Sequence, residues 1–261
     1  MADHCEARRV FVYAVREVGV RVALALQKAK LDAAEVVVHF GGEGIGATKF
    51  REVYASARSG DVVVFIGACG IAVRFLDGLL MDKRTDPAVL VLDEAARHCV
   101  VLAGGHEGGG NAMAYRVAEV TGAEPVVTTA TEVRKPLVLG VGCRRGVELE
   151  AFVECFEAAC RSFGVTRDQV REVVTVDVKQ DEAGLRRWVL ECGFPLRIIG
   201  LRELRHRPWV IERSEWVGKT LGVAGVSEAC ALAVSSRSIL LGRRHVHRGV
   251  TMAFARDSSA L

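Results

Sequence analysis

Asp61-Val62-Val63-Val64-Phe65-Ile66-Gly67-Ala68-Cys69-Gly70-Ile71-Ala72-Val73-Arg74 decides the fold class of this 261-residue chain. A β-branched, aromatic run of strand length breaks at Gly67 and Gly70 and passes into a helical segment that ends near Leu80. The same alternation recurs on either side. It is the signature of an α/β protein in which mostly parallel sheets are flanked by helices.

Toward the N-terminus, strands are expected at 10–15 and 35–40, with helices at 17–30 (apolar residues Val18, Val22, Leu24 and Leu26) and 48–58. Toward the C-terminus, two strands at 88–93 and 98–102 are joined by a tight polar turn. A helix at 110–121 then closes on Gly122, and a strand follows at 125–128. Thr131-Glu132-Val133-Arg134-Lys135-Pro136 is short, charged and closed by proline, which reads as a linker. Two α/β domains are therefore expected, 1–130 and 137–261, with 131–136 between them. The second half restarts the grammar with strands at 137–141, 173–178, 195–199, 239–241 and 250–254 and helices at 148–163, 182–192 and 227–235. No period-length repeat or low-complexity tract interrupts it.

Bulk properties narrow the function. Half of the residues are hydrophobic and 26% are charged, so a disordered chain is not expected. A net charge of +3 does not suggest a nucleic-acid binder. The start Met1-Ala2-Asp3-His4-Cys5-Glu6 has no apolar signal segment. The longest apolar stretch, 62–73, is too short to span a bilayer. Eight scattered cysteines without a CxxC pair read as reduced thiols, so the expected location is the cytoplasm, without membrane or nucleic-acid partners.

Ligands of parallel sheets sit where strands turn into helices. Glycine there allows close backbone approach, and the first helical N–H groups favour anions. Four such turns, at 41–47, 67–70, 104–110 and 140–146, favour an acidic ligand. Gly42-Glu43-Gly44-Ile45-Gly46-Ala47 fits a loose dinucleotide fingerprint. It follows the second strand rather than the first, however, and the ribose-gripping acid is missing from the end of the next strand, where Asp61 stands at the start instead. In Gly104-Gly105-His106-Glu107-Gly108-Gly109-Gly110-Asn111, a histidine able to carry protons near neutral pH stands beside a helix start able to stabilise an oxyanion. A surface histidine bonded to a loop carbonyl would have the same sequence.

Other clusters read more blandly. Asp82-Lys83-Arg84-Thr85-Asp86-Pro87 is by composition a solvated loop. Gly142-Cys143-Arg144-Arg145-Gly146 offers two guanidiniums as carboxylate clamps and a thiol whose pKa they would lower, unless Cys143 is simply buried. The basic stretch 202–213, with Trp209, reads as a solvated face. In Arg243-Arg244-His245-Val246-His247-Arg248, two histidines share a strand face, but arginines repel a cation and the motif has no acid or Cys, so no protein-bound metal is expected.

Taken in order, several motifs resemble the cobalamin biosynthesis protein G (CbiG) family. In the first half they are 65–74, Asp82-Lys83 with Asp86-Pro87-Ala88-Val89, Gly105 to Asn111, and Pro125-Val126-Val127-Thr128-Thr129-Ala130-Thr131. In the second half 140–146, Val178-Lys179-Gln180-Asp181-Glu182-Ala183-Gly184-Leu185 and Gly225-Val226-Ser227-Glu228-Ala229-Cys230-Ala231-Leu232 resemble the family's C-terminal domain, shared with CobE proteins. The resemblance spans about residues 8–256. It implies cobalt-precorrin-5A hydrolase activity: opening of the ring-A lactone and loss of the C20 carbon with its methyl as acetaldehyde, giving cobalt-precorrin-5B. Many members carry a middle domain where this chain has only the linker. Gly104 stands where the family usually has Ser, and Gly110 where it has another small residue.

Residue chemistry then suggests roles. His106 is the candidate base on the attacking water, with the Gly108, Gly109 and Gly110 N–H groups as oxyanion donors, Glu107 or Asp86 as a second base and Lys83 as electrostatic partner. Gly67, Cys69, Gly70, Arg74, Asn111, Thr128 and Thr129 in the first half, and Cys143, Arg144, Arg145, Glu182, Ser227 and Glu228 in the second, are candidate contacts to a carboxylated tetrapyrrole. No cofactor is expected, because cobalt arrives inside the substrate. A homodimer and transient contact with neighbouring pathway enzymes are compatible with this reading. Two other classes stay open: a non-catalytic corrinoid-binding or handover protein, and a nucleotide-dependent transferase using the Gly42 turn.

Overall fold

The apolar strands of the first half form one sheet. In the computed structural model, described over residues 8–42, 46–206 and 225–257, they are β1 (Arg9–Ala14), β2 (Glu35–Phe40), β3 (Val62–Ile66), β4 (Ala88–Leu92), β5 (His98–Ala103) and β6 (Glu124–Val126). Their spatial order is β2-β1-β3-β4-β5-β6. Strands β1 to β4 run parallel, β5 is antiparallel to β4, and β6 follows the direction of β5. The reversal at β5 comes from its short connection, since parallel neighbours need a crossover of a dozen or more residues. The Asp93 carboxylate pins this turn, accepting hydrogen bonds from the Arg97 and His98 N–H groups.

Helices cover both faces. They are α1 (Val20–Ala29), preceded by a 3-10 turn at Glu17–Gly19, then α2 (Gly46–Ser56), α3 (Cys69–Phe75) and α4 (Gly110–Thr121). Side chains alternate across a strand. Val10, Val12 and Ala14 of β1 pack with Ala23 and Leu26 of α1 and Met113, Ala114 and Val117 of α4. Phe11 and Tyr13 face the other way, toward Phe50 and Tyr54 of α2 and Phe65 of β3. There the Phe50 ring meets Tyr13 at 5.3 Å and Phe65 at 5.2 Å, both edge-on. Of the four apolar residues named for the first helix, Leu26 is buried and Val22 packs against the core, whereas Leu24 and Val18, the latter in the 3-10 turn, are exposed. Helix α3 stops at Phe75 rather than near Leu80, and Gly78, at φ +71°, lies in the turn that follows.

The second half has its own sheet. Its strands are β7 (Leu137–Cys143), β8 (Val170–Val176), β9 (Leu196–Ile199), β10 (Ser238–Leu240), β11 (His245–His247) and β12 (Val250–Asp257), ordered β10-β12-β7-β8-β9 with β11 beside β12. Strands β7, β8 and β9 are parallel, and β12 runs against its neighbours β7, β10 and β11. Helices α5 (Leu149–Phe163) and α6 (Ala183–Cys192) pack on one face. On the other lie α7 (Leu201–His206) and α8 (Val226–Ala233). By compactness the chain divides into unit 1, residues 1–129, and unit 2, residues 130–261. Residues 130–134 form a 3-10 helix.

Two glycines expected in a ligand turn are strand residues. A Cβ on Gly140 would lie 1.8 Å from the Ser227 carbonyl oxygen, and one on Gly142 would lie 2.7 Å from Thr251 Oγ1. Gly140 is small so that α8 can lie directly on β7, and the turn proper is reduced to 144–146. Residues 43–45 of the Gly42 turn, and 207–224 with Trp209 and Arg213, lie outside the described residues. Among the described residues, no helix is long and apolar enough to cross a membrane.

Candidate functional site

Strand direction sorts the glycine turns of unit 1. Gly67, Cys69, Gly70 and Arg74 follow β3 at the carboxyl edge of the parallel strands, where the Gly67 N–H donates to the Leu92 carbonyl at 2.9 Å. The turn 104–110 follows β5, which runs the other way, so it lies at the amino edge. The structure does not bring these two sets together. Strands of five residues separate them by roughly 17 Å, at about 3.3 Å per residue.

At the amino edge, several expected residues do meet. Gly104, at φ +64°, presses against the start of β4: a Cβ there would be 2.8 Å from Ala88 Cα. A serine at this place would be strained, so the chain offers no hydroxyl there. The loop closes on itself through the Gly109 N–H to the His106 carbonyl (3.3 Å), Gly110 N–H to Gly104 (3.1 Å) and Asn111 N–H to Gly105 (2.9 Å). Gly109 and Gly110 thus have engaged N–H groups, contrary to the expectation of three oxyanion donors. Of the three, the Gly108 N–H alone lacks an acceptor among the described residues.

His106 and Glu107 are exposed at the tip of the turn. Glu107 Oε1 lies 3.0 Å from Lys83 Nζ, which arrives from the loop before β4. The Lys83 hydrogen bond holds the Glu107 carboxyl below its ordinary range. Such a carboxylate is a poorer base. Asp86 Oδ2 accepts from the Met81 (2.7 Å) and Asp82 (3.0 Å) N–H groups and so shapes the loop that carries Lys83. Asn111 Nδ2 donates to Thr129 Oγ1 at 2.7 Å, tying the turn to the segment after β6, while Thr128 is exposed beside it. Asn111 Oδ1 is buried without a partner.

One residue at this edge was not expected. Gly109 is left-handed, at φ +72°, and a Cβ there would be 2.4 Å from Arg8 Nη2 and 3.2 Å from both Arg8 Cζ and Nη1. Only glycine leaves room for this guanidinium. No local pattern announces it, because Arg8, Gly60 and Gly109 meet only through the sheet.

In unit 2, Cys143, Arg144, Arg145 and Glu182 gather at the carboxyl edge of β7 and β8. Arg144 and Arg145 are exposed there, as carboxylate clamps require. Glu182 receives the Gly146 N–H at 3.0 Å and Lys179 Nζ at 2.9 Å. Burial would raise its carboxyl, but these two donors hold it below the ordinary range. Its place is to tie the turn to the start of α6. Lys179, which the residue types around it do not mark as a site residue, belongs to this cluster. The expected lowering of the Cys143 thiol is not found: burial pushes it up to about 11, against the pull of Lys179. Ser227 and Glu228 are 0% and 1% exposed, and Glu228 is paired with Arg244 Nη1 at 2.8 Å. They pack α8 onto the sheet and present nothing to a ligand.

His247 of the two-histidine strand does meet an acid from elsewhere. Glu154 of α5 lies 2.8 Å from His247 Nε2 and also takes Arg248 at 3.0 Å. Among the described residues, no group of three His, Cys, Asp or Glu side chains could hold a metal ion.

Comparison with known proteins matches 51–132 to the family model "Cobalamin synthesis G N-terminal" and 137–255 to "Cobalamin synthesis G C-terminus". Over 73 residues the chain is 52% identical to the cobalt-precorrin-5A hydrolase of Salmonella typhimurium, a stretch of 28% of this chain and 21% of that protein. It is 24% identical over 276 residues to a probable cobalt-precorrin-5A hydrolase of Methanocaldococcus jannaschii, covering 75% of this chain and 85% of the other. Among solved structures, CobE, a protein from the cobalamin biosynthetic pathway, matches at 28% identity and a TM-score of 0.43, over 46% of this chain and 89% of its own.

Proposed function

Because the chain belongs to the cobalamin biosynthesis protein G family, we propose that it is a cobalt-precorrin-5A hydrolase with its reaction centre at the amino edge of unit 1. The observation that carries this choice is the His106 turn. A proton carrier, a Glu107 carboxylate paired with Lys83 at 3.0 Å and a Gly108 N–H without an acceptor among the described residues stand at one glycine loop, inside the stretch that matches the family's N-terminal model.

The chemistry follows from these parts. His106 takes a proton from water as the water oxygen bonds to the lactone carbonyl carbon. The Gly108 N–H meets the oxygen that becomes negative. The ring C–O bond then breaks, and the alkoxide on C20 takes the proton back from His106. A carboxylic acid and an alcohol result, and the acid releases its proton to solvent to become a carboxylate. Neutral again, His106 removes the alcohol proton. The bond between C20 and the macrocycle breaks, its electron pair passes into the conjugated ring, and acetaldehyde leaves. His106 serves both steps, since Lys83 weakens Glu107 as a base and Asp86 is engaged with its own loop. Cobalt travels with the substrate.

Acetaldehyde release from cobalt-precorrin-5A tests the reading. The wild type should release one equivalent. Tight stoichiometric binding without acetaldehyde would make the chain a handover protein instead. His106→Ala should lower lactone opening by 10²-fold or more, on the order of general-base removal. A folded variant working at near the wild-type rate would remove His106 from the mechanism.

A further inference from the structure

We propose that the Arg8 guanidinium, lying over Gly109 at the His106 turn, holds the lactone oxygen that becomes negative as the ring opens, and the carboxylate it leaves. This rests on the hydrolase reading above. It answers a gap in that site, where the Gly109 and Gly110 N–H groups are turned into the loop and leave one backbone donor for the oxyanion.

The geometry supplies the second donor. Arg8 Nε donates to the Gly60 carbonyl at 3.0 Å, which fixes the plane of the guanidinium. Nη1 and Nη2 are left as a two-pronged fork, the shape that matches a carboxylate. Both lie against Gly109, where a side chain would come within 3.2 Å of Nη1 and 2.4 Å of Nη2. The neighbouring cations are already neutralised: Arg9 by Asp61 (2.6 Å), Lys83 by Glu107 (3.0 Å) and Arg84 by Asp82 (2.9 Å). Arg8 faces no carboxylate among the described residues. A half-buried, oriented cation, unpaired among the described residues and set against the turn that carries His106, is suited to an anion that forms during reaction. In the step derived above, that anion is the carbonyl oxygen. It gains charge when water adds and keeps a share of it as carboxylate when the ring C–O bond breaks.

Arg8→Met and Arg8→Lys separate this role from packing. Arg8→Met should lower kcat for lactone opening by about 10²-fold, the typical cost of one lost oxyanion donor, with a smaller change in KM. Its affinity for the opened product, titrated at equilibrium, should fall more than its affinity for the lactone. Arg8→Lys keeps the charge but loses the fork, so its loss should be smaller. Guanidinium ion added to Arg8→Ala should restore part of the rate, which no loss of packing would permit. Wild-type kcat in folded Arg8→Met, with unchanged product affinity, overturns the proposal. So does an Arg8→Ala variant that binds substrate but gains nothing from guanidinium. If the wild type itself releases no acetaldehyde, the hydrolase reading fails first, and the two failures are distinct.

Discussion

Glu107 shows how one neighbour changes what a residue can do. Its carboxyl is kept below the ordinary range first of all by the Lys83 hydrogen bond. Lys83→Met should let it rise toward the ordinary carboxylate range. A carbon-detected NMR titration of Glu107 reads this directly. Both side chains are well exposed, so the pair adds little to stability, and the unfolding midpoint should barely move. The sequence placed Lys83, Asp86, His106 and Glu107 in motifs that the structure brings to one edge. It was silent on Arg8, whose partners lie 52 residues away at Gly60 and still further along at Gly109.

Elements meet through a few buried contacts that specific substitutions should expose. Asp61, at the start of β3, accepts hydrogen bonds from the Arg9 N–H (2.9 Å), Arg9 Nη2 (2.6 Å) and the Arg58 N–H (2.9 Å), joining the starts of β1 and β3. Burial alone would raise this carboxyl, but its donors hold it below the ordinary range. A lowered folded-state value means that the stabilisation is present above the unfolded value, about 3.9. It is lost as the pH falls through and below that value. Asp61→Asn should destabilise unit 1 by about 2 kcal/mol at neutral pH, with the difference from wild type shrinking in acid. Denaturation curves at several pH values give both numbers. Gly140→Ala is the counterpart in unit 2. Its Cβ would meet the α8 backbone at 1.8 Å, so α8 must move, and a loss of about 3 kcal/mol is expected, at the upper end for overpacking. Faster amide exchange in β7 and α8 would register it.

At this scale, strands were more legible than helix faces. Runs such as 62–66 are apolar on both sides, and a sheet covered on both faces demands that. Of the apolar residues Val18, Val22, Leu24 and Leu26, Leu26 is buried and Val22 packs against the core, yet Val18 and Leu24 are exposed. At 100° per residue Leu24 stands about 200° from both Val22 and Leu26, on the opposite side of the helix, and Val18 lies in the 3-10 turn before it. Helix α3 ends early, at a left-handed Gly78 turn that an apolar count does not register.

For the whole molecule, the cysteines report burial rather than reactivity. Burial pushes the Cys99 and Cys155 thiols up to about 12 and Cys143 up to about 11, and it raises Cys230 as well. Cys69, by contrast, is exposed. In the native protein at neutral pH, a thiol reagent should label Cys69 well before Cys99, Cys155 or Cys230, and peptide mapping after a short pulse reads the order. Labelling of Cys230 at the rate of Cys69 would contradict the packing of α8 on β7.

By itself, the sequence determined the local grammar: where apolar runs form strands, where glycine breaks them, and which ordered motifs mark the family. Those properties depend on residues near one another in the chain. Only the tertiary structure decided which edge of the sheet each turn occupies, because that depends on strand direction. β5 runs against β4, so the His106 turn faces away from the Gly67 turn, although both read alike as strand-to-helix loops. Tertiary packing also buried Ser227 and Glu228, raised Cys143, turned two loop N–H groups inward and laid Arg8 over Gly109. Each of these follows from contacts between residues far apart in sequence, which no local pattern encodes.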